Sequence, residues 1–570
     1  MFAVAAVTAT VFALRGRYVG IRSGKADANY IKSTDCRVCH EDHYASWYRT
    51  YHRRMTQDIS TDSVQGDFVK QNTLSYQGVD AKMAKRDGGF FMDFAYPDGK
   101  RESWRIERTV GSRRVEQYVA KKDGQYFRLP VAWDVEHRRW MSLNGSFFYP
   151  DGGDFKQHLG QWDTNCVFCH NVKAQPNLNF DTKRANTEVA ELGIACGACH
   201  AQGAEHAEQA ASPFTRALWK LSGGDKRIVD PLKLDSDRAM MVCGHCHGQR
   251  VPEPMDRIRE IMTKGDPFDA GENLAEFYRP VHQDTTIGNT KFANRFWSDG
   301  SPRLTAYEYQ GITGAACFLK GKPGQRITCT SCHTMHDGDI KGQLTAEKRT
   351  NQACTQCHTE LTDTTALQTH TKHGVDSAGS SCYACHMPEV VYGVQSIHPT
   401  HLIANPDPSR TTTQAVPNAC NQCHVNKSVN WAIQQTKTLW PDRYGSLQAS
   451  SDKQFDLPEG ARGLFAGDAL TRALMADAIT KHADRNWAAP LLAEAFNGDN
   501  YPIVRYFAAN GLDSLGWGVA KPDYLGDANA RTAQIGQWFD RFEEPRRKEA
   551  REVADMLRKA RKDVDIEVGE

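Results

Sequence analysis

The stretch CRVCHEDHYASWYRTYH, residues 36–52, sets two cysteines three apart, a histidine directly after the second, and another histidine twelve residues further on. The Cys-x-x-Cys-His string returns as CVFCH (166–170), CGACH (196–200), CGHCH (243–247), CTSCH (329–333), CTQCH (354–358), CYACH (382–386) and CNQCH (420–424), eight copies in all. They use sixteen of the seventeen cysteines: Cys36, Cys39, Cys166, Cys169, Cys196, Cys199, Cys243, Cys246, Cys329, Cys332, Cys354, Cys357, Cys382, Cys385, Cys420 and Cys423. Cys317 alone is left over.

Cys-x-x-Cys-His is the attachment signature of c-type haem. On one helical turn residues i and i+3 share a face, so both sulfurs reach the vinyl groups on one porphyrin edge. The following imidazole then ligates iron from the proximal side. That role falls to His40, His170, His200, His247, His333, His358, His386 and His424. A structural zinc site uses Cys-x-x-Cys too, but completes four ligands with a second Cys or His pair. A redox dithiol needs one such pair near a βαβ pattern, and a disulfide framework needs no histidine at a fixed offset. Eight copies without exception predict a multihaem c-type cytochrome carrying eight covalent haem c groups.

The stretch from Cys36 to His424 spans 389 residues, about 49 for each motif. Units that small approach the size, roughly 40 residues, below which metals or cross-links are needed to fold. The porphyrins are therefore expected to form much of the core, and the haem-free chain is expected not to fold there. The formal charge of +1 omits the cofactors. With ionised propionates, eight ferric haems bring it to roughly −7 and full reduction to roughly −15. No basic run or nucleic-acid motif stands out, so no nucleic-acid partner is expected. Other redox proteins are expected instead, either cytochromes or a membrane quinol-linked complex, and assembly into a homo-oligomer or filament is compatible with the sequence.

The N-terminus, MFAVAAVTATVFALRGRYVG, is apolar over residues 2–14, too short for an ordinary span of ~20 residues. Residues 1–30 read as a signal peptide, with ADA at 26–28 as the cleavage site, or as an uncleaved membrane anchor. Either gives a periplasmic or otherwise extracytoplasmic protein. Residues 31–56 hold the first motif. In 57–155 Asp-Gly pairs (RDGGFF, YPDGKRES, KKDGQYF, YPDGGDF) separate runs such as FFMDFAY and YFRLPVAW. Asp-Gly flanked by aromatic and β-branched residues is a strong hairpin signal, so an antiparallel β-rich insertion is expected. Residues 156–430 carry motifs two to eight on short helices and long loops, and 431–460 is a linker. LTRALMADAI (470–479) and IVRYFAANGL (503–512) align at an offset of 33, giving a HEAT-like helical segment over 461–530. A charged helix, 531–570, ends the chain. The fold class expected is thus a mainly α/irregular multihaem cytochrome c fold, with a β-rich insertion and a helical-repeat tail.

A six-coordinate iron needs a second axial ligand. Thirteen histidines lie outside the proximal set. His482 sits in the helical tail; His43 and His245 cannot reach across their own haem but could serve a neighbour. Of the ten that remain, His137 fits least. The distal candidates are His52, His158, His206, His282, His336, His370, His373, His398 and His401. Lone Cys317 reads as a buried small hydrophobe.

CRVCHEDHYASWYRTYHRRM (36–55) resembles the opening of the cytochrome c554-related multihaem family. CGACHAQGAEH (196–206) is similar to that family's Cys-x-x-Cys-His-Gly-Pro-Gly-x-x-His element, with His206 on its histidine and Ala201 and Gln202 departing from Gly-Pro. CTSCHTMH (329–336) resembles the family's CxSCHxxH, which implies His336 as a distal ligand to a neighbouring haem. HTKHGVDSAGSSCYACHMP and PNACNQCHVNKSVNWA also look like members with a helical tail. The resemblance implies architecture more than a reaction.

An all-imidazole ligand set belongs to the lower part of the c-type potential range, because axial methionine raises the potential. Two functions are compatible with these residues. One is an electron-transfer chain of closely packed, mostly bis-histidine haems. The other is an octahaem oxidoreductase with one open haem, similar to hydroxylamine oxidoreductase or the tetrathionate and nitrite reductases. No residue of the sequence marks itself as catalytic.

Overall fold

The computed structural model describes residues 27–304 and 307–566. The expected signal peptide or anchor therefore falls, over residues 1–26, outside the described residues. No helix among the described residues is long and apolar enough to cross a membrane.

The main departure from expectation is the weight of β structure. Nine strands form one antiparallel sheet: β1 (Thr56–Asp58), β2 (Thr73–Tyr76), β3 (Val79–Arg86), β4 (Gly89–Ala95), β5 (Arg101–Val110), β6 (Val115–Lys122), β7 (Gln125–Asp134), β8 (Arg139–Ser142) and β9 (Gly160–Gln161). Strands β2 to β8 pair in sequence order, with β1 added beside β5 and β9 beside β7. The path's two ends, β2 and β8, lie against each other. The sheet thus curls into a nearly closed, barrel-like body, and the fold is not the mainly α/irregular one that the motif spacing suggested.

Its local causes are plain. Asp87-Gly88 and Asp123-Gly124 hold positive φ at both positions, which gives the tight connections β3–β4 and β6–β7 the right twist. Along β3, Val79, Ala81 and Met83 point inward while Asp80 and Lys82 face solvent, the two-residue period of a half-buried strand. The interior is aromatic: Phe68 meets Phe90, Tyr118 and Trp140 edge-on at 5.1, 5.5 and 5.1 Å. Residues 129–134 of β7 are buried on both faces, because the sheet's outer side there is covered by protein.

A second apolar body lies at the C-terminal end. Helices Glu459–Ala466, Ala469–His482, Arg485–Gly498 and Pro502–Ser514 pack on one another, and Ala528–Phe539 and Glu544–Arg558 close over Arg485–Gly498. Leu470, Leu474, Phe496, Val504 and Leu512 are its centre, and the same cluster runs on into Phe148, Trp297, Tyr307, Val391 and Val425. Two arginines are fully buried there. Arg472 Nε donates to Asp499 Oδ2 (2.7 Å) and its Nη1 to Asp563 Oδ1 (2.5 Å). Arg505 grips Asp151 through both Nη atoms (2.8 and 2.9 Å). Asp151 sits in the YPDGGDF stretch, which docks on the helices rather than turning a hairpin: its backbone N–H also donates to the Asn500 carbonyl oxygen.

Between these bodies run the motif segments. From Leu319 to Val390, a stretch holding three motifs, Ala353 is the only buried hydrophobic residue. Protein side chains do not make a core there.

Candidate haem centres

An iron bonded at about 2.0 Å to one nitrogen of each of two opposed imidazoles holds their ring centres roughly 6 Å apart. Six motif histidines have such a partner. The ring pairs are His40–His206 at 6.3 Å, His247–His52 at 6.1 Å, His200–His336 at 6.4 Å, His333–His401 at 6.3 Å, His386–His370 at 6.1 Å and His424–His373 at 6.2 Å. Each pair joins a Cys-x-x-Cys-His histidine to one distant in sequence or on another turn. His336 also stacks on His43 at 4.5 Å. His43 lies 6.2 Å from His40 as well, but one turn along the same segment.

The hydrogen bonds around these rings suit metal ligation. A carbonyl oxygen only accepts, so a ring nitrogen beside one must carry the proton, leaving the other nitrogen's lone pair for a metal. His200 Nδ1 donates to the Val229 oxygen (2.7 Å), His333 Nδ1 to Gly342 (2.8 Å) and His386 Nδ1 to Ala404 (2.9 Å). On the opposing side His373 Nδ1 donates to the Thr371 oxygen (2.7 Å), and His206 Nδ1 meets Asp225 Oδ2 (3.0 Å). Burial, reinforced by His247 and His333 nearby, pulls His52 down to about 4, and burial with His333 does the same to His401. Both rings are therefore neutral, as a metal requires.

His52 is positioned by a latch. Trp47 Nε1 donates to the Ile194 oxygen (2.8 Å), and Ile194 N–H donates to the His52 oxygen (2.9 Å). Gly193 makes the approach possible. It holds φ at +73°, and a Cβ there would lie 2.3 Å from the Arg53 oxygen. Neither Gly193 nor the latch is marked by any motif, although Trp47 lies inside the opening stretch.

Three nominated distal histidines face no motif ring. His158 lies between Phe147 and Tyr149, with its Nδ1 3.4 Å from Arg128 Nη2. His398 has its Nε2 2.5 Å from Arg114 Nη1 and 3.2 Å from Ser396 Oγ. His282 rests on Phe296 at 6.5 Å. Among the described residues, two motif histidines correspondingly have no opposing imidazole ring: half-buried His170 and solvent-exposed His358. His245 is engaged by Asp266 (2.7 Å) and His137 by Asp134 (2.9 Å). Cys317 is half-buried and lies near Cys332 and Cys354.

The motifs also touch one another. Sulfurs of different motifs lie close enough to interact at Cys36–Cys196, Cys169–Cys246, Cys243–Cys329 and Cys354–Cys382. Cys199 lies near Cys243, Cys332 near Cys357, and Cys385 near Cys420 and Cys423. These contacts order the motifs first, third, fourth, fifth, sixth, seventh and eighth in one run, with the second beside the fourth.

A family model described as a doubled CXXCH motif matches residues 322–363, the fifth and sixth motifs. No curated protein matches the chain. Among solved structures, the crystal structure of the outer cell wall cytochrome OcwA is similar at 16% identity and a TM-score of 0.47, over 90% of this chain and 99% of that one. A likeness that distant carries no argument. The doubled motif, read with imidazole pairs standing at iron width beside cysteine pairs, makes this chain a multihaem c-type cytochrome.

Proposed function

We propose that the chain is an electron relay carrying eight haem c groups, six of them held between the imidazole pairs described above. The observation that carries this reading is the unbroken succession of motif contacts from Cys36–Cys196 to Cys385–Cys420. Haem supplies one-electron chemistry; the protein's contribution is spacing, orientation and the electrostatic setting of each potential. Closed bis-imidazole coordination suits outer-sphere transfer, and places most of the centres in the lower part of the c-type range. The domain scheme of a first haem segment (31–56), a β-rich unit (57–155), a multihaem unit (156–430), a linker (431–460), helical repeats (461–530) and a terminal helix (531–570) is kept as part of this proposal. So are exported redox partners, an extracytoplasmic location, which haem attachment outside the cytoplasm favours, and self-association.

The mass of the mature protein is expected to exceed that of the polypeptide by eight haems, and spectroelectrochemical titration to show a broad reversible wave fully transferable to a soluble cytochrome. A mass excess equivalent to six haems or fewer, or a wave that traps electrons irreversibly, would reject the relay.

Gly193→Ala tests one pair separately. The new methyl group meets the Arg53 oxygen and pushes away the segment that sets His52 opposite His247. One low-spin ferric signal is expected to shift or disappear from the electron paramagnetic resonance spectrum, with haem content unchanged. An unaltered spectrum would show that the His52–His247 pair does not depend on this turn.

A further inference from the structure

We propose that the helix Pro213–Ser222 lies on an anionic phospholipid surface, with its apolar stripe among the acyl chains and the lysines and arginines around it against the headgroups.

This helix carries its apolar side outward. Ser212 caps it, accepting from the Thr215 N–H, Pro213 opens the first turn, and Gly223 ends it at a φ of +85°. Phe214, Leu218 and Leu221 follow at i, i+4 and i+7, so they share one stripe. A helix of a globular protein turns such a stripe toward the core. Here no residue of the helix is buried, and the stripe faces solvent. Leu221 is 88% exposed, Phe214 79% and Leu232 76%, the three highest values for large hydrophobic side chains among the described residues. Leu232 belongs to the same patch, because Lys233 Nζ donates to the Gly223 oxygen at the helix's end (3.2 Å). The opposite side of the helix meets protein: the Trp219 ring stacks on His206 at 5.1 Å, and Arg216 donates to the Ala210 oxygen. Apolar exposure gathered in one place marks an interaction surface.

Charge and chain path decide what covers it. Residues 211–234 hold Arg216, Lys220, Lys226, Arg227 and Lys233 against only Asp225 and Asp230. Both acids are engaged by their neighbours, Asp225 by Arg227 and Asp230 by Lys233, so the surplus around the stripe is positive. The described chain begins at the same place. The Asn29 oxygen accepts from the Gly203 and Ala204 N–H groups, where the helix Ala204–Ala210 that leads into Pro213–Ser222 starts. The apolar run 2–14, followed in sequence by Arg15, Arg17, Arg22 and Lys25, therefore joins the folded chain beside this helix. An apolar helix face edged with cations, next to a second apolar segment trailed by cations, supplies the two signals that hold a protein on an anionic bilayer. A bilayer also receives a protruding helix without a matching groove. The consequence for electron flow rests on the relay reading: Trp219 backs His206, which stands opposite His40 of the first motif. Attachment brings that end of the run to the membrane, one indole from its histidine.

The test uses the full-length, haem-loaded protein with vesicles of phosphatidylcholine alone or with phosphatidylglycerol added, followed by hydrogen exchange and mass spectrometry. Amides of 213–222 are expected to exchange about tenfold more slowly on phosphatidylglycerol vesicles than in buffer. Neutral vesicles should protect them less, and added salt should shrink the difference. Phe214→Ser, Leu218→Ser and Leu221→Ser together should abolish the protection. Lys220→Glu with Lys226→Glu should reduce the anionic vesicles to the level of the neutral ones. Haem content and the visible spectrum report folding in both variants, and the local readout separates this helix from any binding through residues 1–26. Exchange across 213–222 that neither vesicle alters would overturn the proposal. So would slow exchange already present in buffer, which gives the face to residues 2–14 if the protein sediments as a monomer and to a second copy if it sediments as a dimer. Protection by a soluble cytochrome and not by vesicles would give it to a protein partner instead. None of these results touches the relay, which depends on the redox titration and haem mass.

Discussion

Produced without haem attachment, the chain is expected to lose cooperative structure throughout residues 319–390 while the barrel and the C-terminal helices keep theirs. The reason lies in where the apolar side chains are. The barrel has a protein-only interior of Met83, Met92, Phe94, Tyr118, Leu129, Val131 and Trp140, and helices from Glu459 onward bury a still larger set. Residues 319–390 bury Ala353 alone among hydrophobics. Burying a Leu-sized side chain contributes about 2 kcal/mol, and ordering each backbone residue costs about 1–2 kcal/mol. With no such side chains, that stretch has nothing of its own to offset the ordering cost. Hydrogen exchange followed by mass spectrometry on the haem-free chain should find protection within 79–134 and 469–512 and near-complete exchange across 319–390. A protected, cooperatively melting 319–390 without haem would show that the protein organises these motifs unaided.

Arg472→Met is expected to give the largest stability loss of any single substitution outside the motifs. Arg472 is wholly buried, and its partner Asp499 nearly so. Removing one member of a buried pair leaves the other charge without compensation, at a cost of about 3–5 kcal/mol. Arg561 Nη2, 3.3 Å from the same carboxylate, keeps some charge beside Asp499, so the lower end of that range is expected. The thermal midpoint of the helical body should fall by several degrees. The double variant Arg472→Met, Asp499→Asn should recover part of the loss, because replacing both charges removes the stranded carboxylate. If the single variant melts with the parent protein, the pair is not a stabilising element.

The cofactor chemistry was legible from the first motif, since sulfur spacing and histidine offset have a single geometric purpose when repeated eight times. Two hairpin turns could be read from Asp87-Gly88 and Asp123-Gly124, because Asp-Gly tolerates the positive φ such turns need. That β2 would meet β8 and curl the sheet was not legible: strand alternation states which face is buried, not where the sheet's ends go. Distal histidines behaved similarly. His52, His206, His336, His370, His373 and His401 come opposite motif rings, whereas His158 and His398 are held by Arg128 and Arg114. Those arginines are far from them in sequence and carry no motif, so composition alone could not distinguish an imidazole that faces a metal from one that faces a guanidinium.

The clasp between Asp151 and Arg505 makes the last hundred residues a keystone rather than an appendage. A protease cutting in the exposed stretch 445–452 would leave two fragments that still travel together, joined by that clasp and by Phe148, Tyr307 and Val391 seated among the helices. Trimming a clone at the end of the motif region would instead bare an oily flank and strand a carboxylate, and the shortened product would be expected to clump.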